Sequence, residues 1–171
     1  MFEKLKIIDW PDPRLLKVSS PVETFDERLA ALAARMFALM REHRGVGLAA
    51  PQVGENLRMF VMNHSGKPED DRVYVNPALS DGLGEAESEE GCLSLPSINL
   101  PVLRSHHIRV TARDVTGQPI EQEAEGFVAR IWQHETDHLN GTLIIDRTDE
   151  VGRMSCKKQL RELRKKWDEA H

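Results

Sequence analysis

The stretch His134-Glu135-Thr136-Asp137-His138 places two imidazoles four residues apart with an acid beside the first. On a helix, histidines at that spacing lie about 40° apart in azimuth and one turn apart along the axis, so both can reach one ion. Glu135 lies about 100° round from His134, at the flank of that face. It is poorly placed as a third ligand and well placed to take a proton from a water beside a metal. The chemistry implied is metal-assisted hydrolysis, which needs a third protein ligand and an open position. Cys92, Cys156 and several carboxylates are candidates for that ligand. Cys92 sits in Glu90-Gly91-Cys92-Leu93-Ser94-Leu95-Pro96, after a glycine that permits close backbone approach and before residues that read as the start of a strand. Thiolate is a good ligand for zinc or ferrous iron, although a lone cysteine is more commonly a small buried apolar residue. Cys156, with no histidine or cysteine nearby, reads as that commoner kind.

Three further features surround this centre. Gly45-Val46-Gly47-Leu48-Ala49-Ala50-Pro51-Gln52 leaves its backbone bare, so another chain can come close, and Gln52 adds an uncharged amide donor. Phe127, Ile131, His134 and His138 form one helical stripe, an apolar wall leading to the metal; the same stripe also reads as core. Asp137 lies about 60° from His134 on the side opposite Glu135. An acid there can orient an imidazole N–H or pair with a cation such as Arg104.

The elements that must position these residues follow from periodicity. A first helix is predicted from about Phe25 to His43, with Thr24 and Glu27 as a capping box, Leu29, Leu32, Met36 and Leu39 on one face, and Gly45 as its stop. A second runs from about Phe127 to Leu139, and a third occupies the basic tail with Leu160, Leu163 and Trp167 on one face. Between the first two, Arg58–Met62, Val73–Val75 and Ile108–Arg113 read as short strands. Ser65-Gly66, Asn76-Pro77, Asp81-Gly82 and Thr116-Gly117 read as turns. The fold class is therefore α+β, with mainly antiparallel sheet packed around a central metal-binding helix and flanked by an N-terminal and a C-terminal helix.

Composition bounds the function. A chain of 171 residues suits a single domain that buries a core without disulfides, and two sparse cysteines do not make a disulfide framework. The opening Met1-Phe2-Glu3-Lys4-Leu5-Lys6-Ile7-Ile8 carries no visible export or organelle signal, and no apolar run approaches the roughly 20 residues that span a bilayer. A cytoplasmic enzyme or binding domain with no membrane association is expected. Residues 151–171 hold seven Lys/Arg and three Asp/Glu, a net of +4 that leaves −9 on the rest of a chain whose net charge is −5. An acidic body with a basic tail argues against nucleic-acid binding by the whole molecule.

Taken together, Gly45 to Gln52, Glu90 to Ser94 and Gln133 to His138 resemble the three signature motifs of the peptide deformylase family: GxGxAAxQ, EGCxS, and HExDH preceded by Gln. Order and spacing match over nearly the whole chain, and Asp9-Trp10-Pro11-Asp12-Pro13-Arg14-Leu15 looks like the family's usual start. The resemblance implies a single catalytic domain over residues 1–171, with 151–171 as its basic C-terminal helix. It implies a hydrolase that removes the formyl group from formyl-Met nascent peptides. Cys92, His134 and His138 would be the ligands of one divalent ion per chain, ferrous iron as the native form, with zinc, nickel or cobalt also compatible. Glu135 would be general base and then general acid; Gln52 and the Leu93 backbone N–H would stabilise the oxyanion. Val46, Gly47, Gly91, Phe127 and Ile131 would border the substrate, with Asp137 and Arg104 behind the ligands. Arg130 departs from the expected pattern, where an apolar residue would stand, and Ser97 to Leu103 carry no strong signature. Two rivals remain at this stage. One is a zinc endopeptidase built on the same HExxH pattern, which usually takes His or Glu as third ligand. The other is a binding protein with a closed structural zinc, its fourth ligand drawn from Cys156, His106 or His107.

Overall fold

A computed structural model describes residues 1–171. Helix α1 spans Glu27–Glu42. Asp26, rather than Thr24, caps it: its carboxylate accepts from the Leu29 N–H at 3.0 Å, the bond that satisfies an N-terminal orphan donor. Leu29, Leu32, Ala33, Met36, Leu39 and Met40 form its buried face. Each large side chain buried there contributes roughly 1.5–3 kcal/mol. The helix ends where Arg44 turns left-handed (φ 56°) and the Gly45 N–H reaches the Met40 carbonyl at 2.8 Å.

Five antiparallel strands follow in sequence order: β1 Gly47–Ala49, β2 Met59–Met62, β3 Arg72–Cys92, β4 Leu95–Arg113 and β5 Pro119–Glu125. Two are far longer than the sequence reading foresaw. Asn76-Pro77 and Asp81-Gly82 do not reverse the chain. They lie inside β3, where the register against β4 shifts between Val75 and Ala78 and again between Ser80 and Leu83. Asn76 and Asp81 adopt positive φ there, the conformation of a β-bulge as well as of a turn. Cys92 ends β3, Leu93-Ser94 form the tight reversal, and the strand expected after the cysteine begins at Leu95 as β4. Beyond the bulges β3 has no partner but β4, and past the end of β5 residues 85–92 and 95–105 make a two-stranded ribbon.

Helix α2, Phe127–Leu139, packs against the sheet, chiefly β4 and β1. Its Trp132, Ile131 and Leu139 join Phe60, Met62, Tyr74 and Val110 in one apolar cluster; α1 covers a second, with Met59, Val61 and Val75. A third lies between the ribbon and the C-terminal segment, where α3 (Ile144–Arg147), α4 (Glu150–Ser155) and α5 (Lys157–Ala170) follow. Leu160 and Leu163 of α5 pack onto that cluster, and the Arg164 guanidinium lies 4.8 Å from the Trp10 ring centroid. The remaining basic side chains of α5 face solvent.

Candidate metal centre

Three donor atoms converge where the ribbon tip meets α2. His134 and His138 project from one helical face, and their Nε2 atoms are 3.3 Å apart. Cys92 Sγ, at the end of β3, lies 3.5 Å from His138 Nε2. All three donors fall within 4.8 Å of one another. A tetrahedral ion with bonds of about 2.3 Å to sulfur and about 2.1 Å to nitrogen has N–N and S–N edges of about 3.4 and 3.6 Å, which the His134–His138 and Cys92–His138 separations match, so the donor set fits a metal. Of the other candidates, Cys156 is buried and bonds the Arg153 carbonyl, His106 pairs with Glu125, and neither they nor His107 join the group. The group closes on three side chains, which suits an ion that keeps a position for substrate and does not suit a closed structural zinc.

Glu90, buried beside Cys92 on the ribbon, organises the histidine. Its Oε1 lies 2.8 Å from His134 Nδ1, which fixes Nδ1 as donor and leaves Nε2 for the metal. Arg104 donates Nε and Nη2 to the same carboxylate at 3.0 and 2.9 Å, and Arg130 adds Nη1 at 2.5 Å. Burial alone would raise the Glu90 pKa; the hydrogen bonds from His134 and Arg104 reverse this and hold it well below the carboxylate range. Burial likewise opposes charge on His134, yet bonding to Cys92 and Glu90 pushes it up to about 10. The space between thiol and carboxylate thus favours positive charge. His138 moves down, through burial and the nearby His134 charge. Asp137 stands on the far side of α2, where it accepts from Arg104 Nη1 at 2.6 Å and from Arg147 Nε and Nη2 at 3.0 and 2.8 Å.

Glu135 faces the cavity from the flank. Its Oε1 is 3.9 Å from His134 Nε2, and its Oε2 is buried with no protein partner. Burial raises its pKa to about 7, close to the value at which a group both takes and gives a proton at neutral pH. Gln52 is buried with its Oε1 held by the Ala49 N–H at 3.0 Å, so its Nε2 is aimed at Ser94 Oγ (3.2 Å) and Cys92 Sγ (3.6 Å). The bare backbone of β1 has a steric purpose here. A Cβ on Gly47 would lie 2.6 Å from Glu135 Oε1. Gly47→Ala should therefore displace the carboxylate and lower kcat by about 10²-fold, the usual effect of an ångström-scale misplacement, with metal content unchanged. Wild-type kcat in the alanine variant would show that the Glu135 position is not critical.

A cavity of about 450 Å³ opens over these groups. Val46, Gly47, Gln52, Gly91, Cys92, Leu93, Phe127, Ile131, His134 and Glu135 all line it; Asp137 and Arg104 do not, lying behind the helix. Ile131 is buried in its wall and Phe127 stands half exposed at the mouth. Arg130, the departure noted in the sequence, borders the cavity, as do Arg44, Glu89 and Glu90, to which the sequence reading gave no role. Glu90 was detectable: on a strand, residues two apart share a face, which sets it beside Cys92.

Residues 4–154 match the family model described as polypeptide deformylase. The curated protein "Peptide deformylase" of Chromobacterium violaceum is 41% identical over 161 residues, 94% of this chain and 96% of that protein. The one from Thermotoga neapolitana is 44% identical over 155 residues, covering 90% and 93%. Among solved structures, a peptide deformylase from Plasmodium falciparum superposes with a TM-score of 0.94 at 36% identity, over 97% of this chain and 99% of that one. One from Legionella pneumophila gives 0.89 at 43% identity, over 96% and 97%.

Proposed function

The chain belongs to the peptide deformylase family, and from that premise we infer which of its residues carry out the reaction. It is a metal-dependent hydrolase that removes the formyl group from the N-terminal formyl-methionine of nascent polypeptides, giving formate and a free amino terminus. The convergence of Cys92, His134 and His138 beneath one cavity is the observation that carries the residue assignment. A divalent ion held by these three would supply Lewis acidity, making water more acidic and a carbonyl more electrophilic. Glu135 takes that proton at its carboxylate and later delivers it to the departing amine nitrogen. Gln52 Nε2 and the Leu93 N–H face the negative charge that develops on the formyl oxygen. Val46, Gly47 and Gly91 border the peptide backbone, while Ile131 and Phe127 offer an apolar wall to the methionine side chain. Glu90, Arg104 and Asp137 hold the histidine-bearing helix in register with the ribbon. The cysteine ligand sets this site apart from the endopeptidase alternative. The deciding assay follows formate release from a formyl-Met tripeptide beside cleavage of an unformylated internal peptide. Cleavage of the second without the first would overturn the reading.

Ferrous iron is the native ion proposed, on the chemistry of one thiolate and two imidazoles, a set that zinc, nickel or cobalt also satisfies. Metal analysis of anaerobically purified protein, with activity per metal, tests it; zinc as the sole active ion would reject iron. The cytoplasm is the proposed compartment, supported by the unpaired state of Cys92 and Cys156 and testable by cell fractionation. No helix is long and apolar enough to cross a membrane. Residues 1–171 are proposed to act as one catalytic domain. Its 151–171 segment would engage the ribosome through the solvated cations of α5, since Leu160 and Leu163 already face the protein. Deleting residues 152–171 should reduce low-salt ribosome co-sedimentation while activity on a short formyl-Met peptide largely remains; undiminished co-sedimentation would leave the helix a packing role alone.

A further inference from the structure

Arg130 is the residue at which the sequence departs from the expected apolar pattern, and its surroundings give it work to do. Only about 12% of its side chain is exposed. Nη1 donates to Glu90 Oε2 at 2.5 Å and to the Val102 carbonyl at 2.9 Å, and Nη2 donates to the Ala86 carbonyl at 2.7 Å. Ala86 and Glu90 belong to β3 and Val102 to β4. One guanidinium, rooted on α2, therefore holds both strands of the ribbon.

The ribbon needs such a hold. Two strands alone are marginal in water, and the apolar cluster that packs this ribbon joins it to the C-terminal segment, not to α2. This one carries Cys92 at its tip, while α2 carries His134 and His138. The site works only if the thiol stays within about 3.6 Å of the imidazole nitrogens, so the ribbon must not slide or roll relative to the helix. Other bonds also join the two elements: Gln133 with the Ser105 backbone, His134 with Glu90, and Asp137 with Arg104. The Gln133 and Asp137 bonds reach β4 alone, and the His134 bond reaches only a β3 side chain. Arg130 is the α2 side chain that grips backbone on both strands. Lysine carries its three donors on one nitrogen and cannot reach the acceptors that Nη1 and Nη2 meet separately, and an apolar side chain has no donor at all.

We infer that Arg130 is a positioning residue, which fixes the ribbon tip against α2 and so sets Cys92 at bonding distance from the ion that His134 and His138 hold. The inference rests on the assignment of those three side chains as the ligands. Its test uses cobalt-loaded protein, in which thiolate-to-cobalt absorption reports the Cys92 bond and transfer to a coloured chelator reports release. Wild type, Arg130→Met and Arg130→Lys are compared, with Leu29→Ala as a control destabilised through the α1 core. All readings are taken below each protein's melting midpoint. The methionine variant should show a weakened or shifted thiolate band and release cobalt roughly 10–100-fold faster. Lysine should give an intermediate rate, and Leu29→Ala should keep the wild-type band and rate. A wild-type band and release rate in Arg130→Met would overturn the inference, as would an equal change in the Leu29→Ala control. If the methionine variant fails to fold, the lysine variant decides: wild-type behaviour there overturns the inference and accelerated release supports it. A wild-type protein with no thiolate band would instead reject the ligand assignment, an outcome separate from the failure of Arg130.

Discussion

Glu135→Gln should bind metal as the wild type does and lose roughly 10²–10⁴-fold in kcat, the range set by loss of a positioned acid–base group. The glutamine is nearly isosteric, and Glu135 contributes none of the three converging donors, so the ion should be held as before. What disappears is the ability to take a proton. Burial has brought the carboxylate to about 7 and left its Oε2 without a protein partner, which is the state of a group awaiting a proton from substrate or water. Replacing Cys92, His134 or His138 should instead remove metal and activity together. Metal-to-protein ratio and kcat, measured on the same preparation, separate the two outcomes. A glutamine variant that purifies without metal, while the wild type retains it, would show that Glu135 is a ligand and that this division of roles is wrong.

Arg104→Met should cost about 3 kcal/mol of stability, at the lower end of what breaking a buried ion pair costs. The guanidinium is almost wholly enclosed, and its donors are divided between Glu90 and Asp137. Both acids keep other partners, Arg130 and His134 for the first and Arg147 for the second, which is why the upper end is not expected. With a urea dependence of about 2 kcal/mol per molar, the unfolding midpoint should drop by about 1.5 M. The loss has a pH signature. Glu90 is held below its ordinary value of 4.5, so its contribution is complete above that pH and is lost as pH falls below it. The gap between wild type and variant should therefore narrow in acid. A midpoint within 0.3 M of wild type (about 0.6 kcal/mol on that slope) would mean the network stabilises far less than its geometry implies.

How far the sequence carried this far depended on whether information was local. Helix α2 was readable end to end because the 3.6-residue period, the two histidines and the apolar stripe all lie within thirteen residues. The α1 face was readable for the same reason, although its cap was misassigned between two nearby polar residues. The long strands were not readable. Asn76-Pro77 and Asp81-Gly82 satisfy the local requirements of a turn, and whether the chain reverses or bulges there depends on β4 running alongside from about thirty residues away. The three donor side chains could be named from spacing and resemblance, and so could the Asp137–Arg104 pair behind them. The part that Glu90, Arg130 and Arg147 play could not, because only the tertiary fold gathers these charges from three separate elements.

The ribbon has one more property, and it concerns self-association. Along residues 83–92 the outer edge of β3 has no neighbouring strand, and Glu85, Glu87 and Glu89 stand exposed on one face of it. At the opposite margin of the sheet, β5 pairs only with β4 and exposes Glu121, Glu123 and Glu125. Unpaired edges are templates on which extended chains can add as new strands, and the substrates of this enzyme are newly made, unfolded chains. A second copy of the β3 edge brought alongside would set carboxylates against carboxylates at strand spacing, whereas on β5 Arg109 and His106 already pair the three acids. Charge repulsion along the β3 margin therefore disfavours the edge-to-edge addition of strands that builds amyloid.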